Sequence, residues 1–213
     1  MTHRILIIMA CLASLGQKLT AADTGSQSET YHHGIVLHFY RDPVYWKGMW
    51  TRQFRSPANP SLYTFSSYQW TCVQPLLNFV FQNRAWFSIR CQTTLILPAG
   101  TPANQTPRTI AVIAPYGVRL YIDGEKVLDD WKRNDSPPNQ PRLVDIRVTP
   151  GKPMHLRLEC YVGLITNFET TKVRISLAWR PPNSSPKALY KPIPSAWLYY
   201  RPADLIPVPG LLD

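Results

Sequence analysis

The chain has 213 residues, 45% hydrophobic and 17% charged, an ordinary globular composition long enough for one or two domains. With 21 prolines against 10 glycines, long helices are excluded, because proline removes a backbone donor and breaks helix interiors. The 23 Lys and Arg against 13 Asp and Glu give a formal net charge of +10, which favours anionic partners such as an acidic cell-surface polymer, although no Lys/Arg block is present.

In chain order, "MTHR" carries positive charge, "ILIIMACLASLG" is an apolar run of 12 residues, and small residues follow in "LTAAD". This layout predicts a secretory signal peptide over residues 1–22, cleaved after Ala22. The run is shorter than the roughly 20 apolar residues of a spanning helix, so no transmembrane segment is expected after cleavage. "IMAC" also resembles a lipoprotein cleavage box, which leaves a lipid anchor at Cys11 as an alternative. The expected location is secreted or cell envelope, and export argues against a nucleic-acid partner. Cleavage removes Arg4 and Lys18, leaving 21 basic and 13 acidic residues, a net charge of +8.

Residues 23–33 are polar and aperiodic and read as a flexible leader, with His32 and His33 solvent-exposed. "GIVLHFY" is the first strand. Residues 41–84, rich in Trp, Tyr, Arg and Pro, are expected to hold short strands and ordered loops. "AWFSIRCQTTLIL" is a long strand, "PAGTPANQTP" a loop, and "RTIAVIA" and "VRLYI" are strands flanking Pro115-Tyr116-Gly117. Asp123-Gly124 is a strong hairpin signal, since both central positions of a type I′ turn need positive φ. "LVDIRV", "MHLRLECYV" and "KVRISLAW" complete the strand set, with loops at "KRNDSPPNQP" and "GLITNFETT". Residues 202–213 form a proline-rich tail, a candidate docking segment. Period-two patterning with closely spaced turns predicts an all-β, antiparallel β-sandwich in a single domain, from about Gly34 to Arg201.

Within that pattern, Asp123 reads as a turn residue, and Asp129 and Asp130 as backbone-bonding residues leaving the hairpin rather than metal ligands. Trp131 is expected to cover a core edge. Glu159 alternates outward on its strand and reads as solvated, so Glu159 and Glu169 make no convincing acid/base pair. No phosphate loop, nucleophile elbow or HExxH is present, so no catalytic residues, cofactor or metal site are expected. Asn104, Asn134 and Asn183 head glycosylation sequons, each followed by proline.

Three cysteines remain after cleavage: Cys72, Cys91 and Cys160. Alternation turns Cys91 and Cys160 inward, while Cys72 sits near an expected loop before Pro75. Cys91 and Cys160 could bridge two strands, a link that the chain-entropy model values at about 4 kcal/mol, or could pack as two buried free thiols.

The order of these motifs resembles the protective-antigen (PA-14) domain family. The residues that carry the likeness are "GIVLHFY", "FSIRCQTTLILPAG", the hairpin "GVRLYIDGEKVLDDW", "TPGKPMHLRLECY", "VRISLAW" and "IPSAWLYY". The resemblance spans about Gly34 to Arg201 and implies a PA-14-like β-sandwich found in bacterial toxins, glycosidases and flocculin-type adhesins. Its calcium-dependent sugar-binding members carry Asp-Asp just before the hairpin glycine, where hard anionic oxygens suit calcium. Here Pro115-Tyr116 stands there, so the resemblance implies loss of that metal site, with a trans Pro115–Tyr116 bond. The family's ligand loops map to Pro115–Gly117 and Thr166–Thr171, which makes Tyr116, Arg119, Tyr121 and Asn167 the candidate contacts. The expectation is a non-catalytic glycan-binding or adhesion module, the alternative a structural or protein-interaction module of an exported assembly.

Overall fold

The computed structural model describes residues 29–41, 68–82, 87–114, 117–131, 140–162, 172–180, 184–185 and 188–208. The signal-peptide segment, residues 23–28 of the leader, Pro115, Tyr116 and the loop containing Asn167 and Glu169 lie outside them. Thirteen strands are present among the described residues: β1 (His32–His33), β2 (Ile35–Arg41), β3 (Tyr68–Gln74), β4 (Asn78–Gln82), β5 (Phe87–Leu95), β6 (Thr109–Ile113), β7 (Val118–Ile122), β8 (Glu125–Asp130), β9 (Arg142–Asp145), β10 (Met154–Val162), β11 (Lys172–Trp179), β12 (Lys191–Pro192) and β13 (Leu198–Tyr200). Helical content among them is confined to short 3-10 turns at Ala103–Gln105, Ser195–Trp197 and Pro202–Leu205. No helix among the described residues is long and apolar enough to cross a membrane.

All pairings are antiparallel and form two sheets. The larger runs β1-β13-β5-β10-β7-β8, with β2 also on β5 and β3 beyond it. The smaller runs β12-β11-β6-β9, with β4 also on β11. The alternating apolar residues of both sheets meet in one core. Ile35 and Leu37 of β2, Ile89 and Cys91 of β5, Leu120 of β7 and Leu158 of β10 face Ile110 and Val112 of β6 and Ile175 and Leu177 of β11. The β7–β8 hairpin closes at Asp123-Gly124, with φ of 50° and 88°. These are the positive values that a two-residue type I′ turn requires. Asp123 also accepts a hydrogen bond on Oδ1 from the His155 amide at 2.8 Å, which ties the turn to β10.

The sandwich begins earlier than Gly34. His32 and His33 are not an exposed leader: they pair with Tyr200 and Tyr199 and their rings lie 5.4 and 4.3 Å from those tyrosine rings. Cys72 lies within β3, which ends two residues later at Gln74, beside the expected break before Pro75. Cys72, Cys91 and Cys160 are all free thiols, the last two buried. Cys91 pairs with Leu158 and Cys160 with Ile89, so the two cysteines are diagonal rather than opposite. Diagonal neighbours sit about 7–8 Å apart, whereas a disulfide needs Cα atoms within about 7 Å. Burial pushes the Cys91 thiol well up and the Cys160 thiol up to about 12.

The main departure from the sequence expectation is the outer face of the larger sheet. Strand β5 is buried on both faces: outward-pointing Ser88, Arg90 and Thr94 have no exposed surface. Part of the cover is the C-terminal segment. The Val208 carbonyl accepts hydrogen bonds from Tyr40 Oη at 2.9 Å and from Arg90 Nη1. The Asp204 carbonyl meets His38 Nε2 at 2.8 Å. The tail therefore docks on its own sheet.

Candidate functional site

The outer face is organised by strand register. Thr71, His38, Arg90, Glu159, Arg119 and Asp129 stand opposite one another in turn, forming a row across β3, β2, β5, β10, β7 and β8. Nearest-neighbour contacts follow the row: His38 Nδ1 to Thr71 Oγ1 at 2.7 Å, Arg90 Nε to Glu159 Oε1 at 2.9 Å, and Arg119 Nε to Asp129 Oδ1 at 3.2 Å. Glu159 is thus not solvated. It is fully buried and neutralised by Arg90, with Arg157 Nε a further 3.6 Å away. Because Nε2 of His38 meets a carbonyl, it carries the ring proton, and Nδ1 accepts from Thr71. Burial pushes the His38 pKa below its usual value; the Asp204 carbonyl opposes this and the Arg90 charge adds to it.

The candidate contact residues fall on this face or outside the described residues. Tyr116 and Asn167 lie outside them. Arg119 is not an exposed strand residue: it is 9% exposed, its guanidinium 4.7 Å over the Trp131 ring. Trp131 is buried with Tyr40 and Tyr161 in a small second cluster. Tyr121 is 5% exposed and lies under Arg157, whose guanidinium carbon is 3.8 Å from the ring centroid. Asp129 and Asp130 act as ion-pair partners: Asp129 holds Arg119 and Lys126, and Asp130 holds Arg142 at 2.6 Å. Burial pushes the Asp129 carboxyl up, but Lys126 and Arg119 outweigh it and hold it below its usual value. Among the described residues no cluster of His, Cys, Asp or Glu could hold a metal ion.

Beside the polar row lies a cavity of about 180 Å³. Its floor is the next row of register, Gln92, Arg157 and Tyr121, from β5, β10 and β7. His155 stands at one side, its Nδ1 2.9 Å from Thr94 Oγ1. Arg201, the residue before the C-terminal 3-10 turn, and Asp204, within it, also line the cavity. They fix each other: Asp204 Oδ2 accepts from the Arg201 amide at 2.8 Å and Oδ1 from Arg201 Nη2 at 3.0 Å. Arg201 also reaches Glu29 at 3.5 Å. The site therefore brings an aromatic ring, two guanidinium groups, a carboxylate, an amide and an imidazole around a small recess. Of these, sequence reasoning reached only Tyr121. Arg157 and Gln92 carried a weak signal, as outward-parity polar residues on long strands, but Arg201 and Asp204 gave none until the tail was seen to fold back.

These features define an antiparallel two-sheet β-sandwich module with a polar recess on the outer face of its larger sheet. The model of the PA14 domain family matches residues 102–189, from the loop before β6 to the segment after β11. No curated protein matches the sequence. Among solved structures, an anti-sigma factor domain-containing protein aligns with a TM-score of 0.52 at 19% identity, over 79% of this chain and 48% of its own. Another, from Clostridium clariflavum, aligns with a TM-score of 0.49 at 17% identity, over 79% and 47%. This chain thus spans about half the length of those two. A subtype-switched Epithelial Adhesin 9 A domain from Candida glabrata, in complex with beta-lactose, aligns with a TM-score of 0.51 at 9% identity, over 80% of this chain and 89% of its own. The likenesses above 0.5 establish a shared sandwich fold.

Proposed function

We propose that this chain is a non-catalytic glycan-binding or adhesion module acting at a cell surface or outside the cell. The observation that carries the reading is the PA14 match over residues 102–189. The shared fold of a lactose-bound adhesin domain, over 80% of this chain, supports it. So does the chemistry of the recess, since convergent hydrogen-bonding groups beside an aromatic ring are what a polyhydroxylated ring requires. The replacement of Asp-Asp by Pro115-Tyr116 makes binding independent of calcium in this reading.

The test is a glycan array probed with the purified protein in calcium and in chelator. Retention of defined saccharides equally under both conditions is the expected result. Retention of none overturns the reading, and retention only in calcium overturns its metal-free form. The alternative, a structural or protein-interaction module of an exported assembly, keeps the Pro115-Tyr116 replacement as its motivation, but the tail is held on the domain's own sheet as far as Val208.

A further inference from the structure

Charged side chains surround the cavity beside the polar row, and their exposure decides which of them a ligand meets. Glu159 is fully buried and pairs with Arg90 at 2.9 Å, with Arg157 Nε farther off at 3.6 Å. Asp204 lines the cavity, but its side chain is only 4% exposed and both its oxygens are taken by Arg201. Arg157 and Arg201 line the same cavity with side chains 25% and 31% exposed. Apart from the imidazole of His155, the charged groups that water reaches among these lining residues are therefore both positive.

A guanidinium presents its N–H donors in a planar fork that matches a carboxylate. Arg201 directs Nε and Nη2 at Asp204, at 3.4 and 3.0 Å, and turns Nη1 toward Glu29 at 3.5 Å. The Glu29 side chain is 51% exposed, so this outer contact is weak and screened by water and salt. It marks the edge of Arg201 at which a carboxylate is accommodated. Arg157 is seated on the cavity floor, its guanidinium carbon 3.8 Å from the centroid of the Tyr121 ring, and because its Nε is buried its exposure lies on the other atoms of the side chain. A volume of about 180 Å³ falls below the range of roughly 300–1,000 Å³ typical of drug-sized ligands, so one end group enters rather than a chain.

Resting on the glycan-binding reading above, we infer that this recess is a binding site for the carboxylate of one acidic sugar unit, a uronate, held between Arg157 and Arg201. His155, at the side of the recess, is placed for a neighbouring hydroxyl. Glu29 competes with the ligand for Arg201 Nη1. The chain's net charge of +10 adds long-range attraction for such a ligand.

The experiment is calorimetric titration of the protein with methyl glucuronide, methyl glucoside and acetate, at low and high salt, repeated for Arg157→Gln, Arg157→Lys and Glu29→Gln. Methyl glucuronide should bind roughly tenfold or more tightly than either methyl glucoside or acetate, and more weakly at high salt. Arg157→Gln should lower that affinity roughly tenfold, and Arg157→Lys, which keeps the charge but not the fork, should lower it less. Glu29→Gln removes the competing carboxylate from an exposed position and should tighten binding, which keeps the test open if the Arg157 variants fail to fold. Glucuronide affinity matched by methyl glucoside or acetate, left intact by Arg157→Gln, or not raised by Glu29→Gln overturns the site while leaving the glycan-binding reading standing. So does failure of the glucuronide to bind when the array retains other saccharides. Failure of the glycosides together with an empty array overturns both.

Discussion

Glu159→Gln tests whether the buried Arg90–Glu159 pair holds the outer face together. The pair is 2.9 Å apart with side-chain exposures of 1% and 0%. At that burial salt does not screen it, and a unit pair near 4 Å is worth about 4 kcal/mol at an effective dielectric of about 20. Removing one partner of a buried pair costs about 3–5 kcal/mol, mostly because the other charge is left uncompensated. Arg90 would retain the Val208 carbonyl and the Tyr40 ring, 5.7 Å from its guanidinium carbon, and glutamine keeps one acceptor. The lower end, about 3 kcal/mol, is therefore expected. For a domain of this size 1 kcal/mol moves Tm by about 2–4 °C, so the loss is roughly 6–12 °C.

The double variant Arg90→Met/Glu159→Leu should recover most of that loss, since replacing both charges by apolar groups is often neutral or stabilising. Arg157 also loses a counter-charge there, but its side chain is 25% exposed and water can reach it. Urea unfolding followed by tryptophan fluorescence, in 0.1 M and 1 M salt, measures both effects. A single-variant cost below about 1 kcal/mol would refute the argument. So would a cost that vanishes at 1 M salt, where only exposed charges are screened, with a Debye length of about 3 Å.

Truncation after Arg201 strips the carbonyl partners of His38, Tyr40 and Arg90. At about 1–3 kcal/mol for each unsatisfied group, it should destabilise more than Glu159→Gln, read as a lower urea midpoint. Gly117→Ala would place a Cβ 2.1 Å from Cε1 of Tyr161, so it should cost about 1–3 kcal/mol by overpacking, measured in the same unfolding assay. His38 has a folded pKa depressed below 6.5 by burial. The unfolded chain therefore binds the extra proton first, and stability is full above about pH 6.5 and falls as pH drops through the depressed value. His38→Gln should flatten that acid limb in a Tm-against-pH profile. In guanidinium, thiol titration of protein starting at residue 23, which lacks Cys11, should count Cys72, Cys91 and Cys160 as three reactive thiols, with Cys91 and Cys160 silent in the native state; two missing equivalents would reveal a disulfide.

Much of the sandwich was legible because its inner faces obey simple alternation. Ile35 and Leu37, Ile89 and Cys91, and Leu156, Leu158 and Cys160 each repeat every second residue and all reach the core. The hairpin was equally plain, because Asp123-Gly124 tolerates the positive φ that both central positions of a two-residue type I′ turn require. The outer face was misread for a physical reason. Alternation reports which residues share a face but not whether the other face is wet, and Glu159 carries the same parity signal whether water or Arg90 lies beyond it. Deciding between them requires the register that sets Arg90 opposite Glu159 and the return of residues 202–208 over β2 and β5. Neither is a local property. Tyr121 was selected as an aromatic on the hairpin, yet the Arg157 that covers it lies 36 positions away on β10.

The polar row does something that the apolar core cannot. A one-residue slip between β5 and β10 would turn Leu156, Leu158 and Cys160 out of the core and is forbidden by burial alone. A two-residue slip keeps every apolar side chain inward and exchanges one core residue for another of similar character. The outer face distinguishes the two. In the native register Arg90 meets Glu159 and Gln92 meets Arg157. Sliding β10 by two residues would set Arg90 opposite either Arg157 or Tyr161, leaving its buried charge beside a like charge or a neutral ring. Either carries the penalty of an uncompensated buried ion, against the small differences between alternative apolar contacts. The same register brings Gln92, Arg157 and Tyr121 into line as the floor of the cavity. The charged row thus fixes the pairing on which the recess depends, although neither Arg90 nor Glu159 lines it.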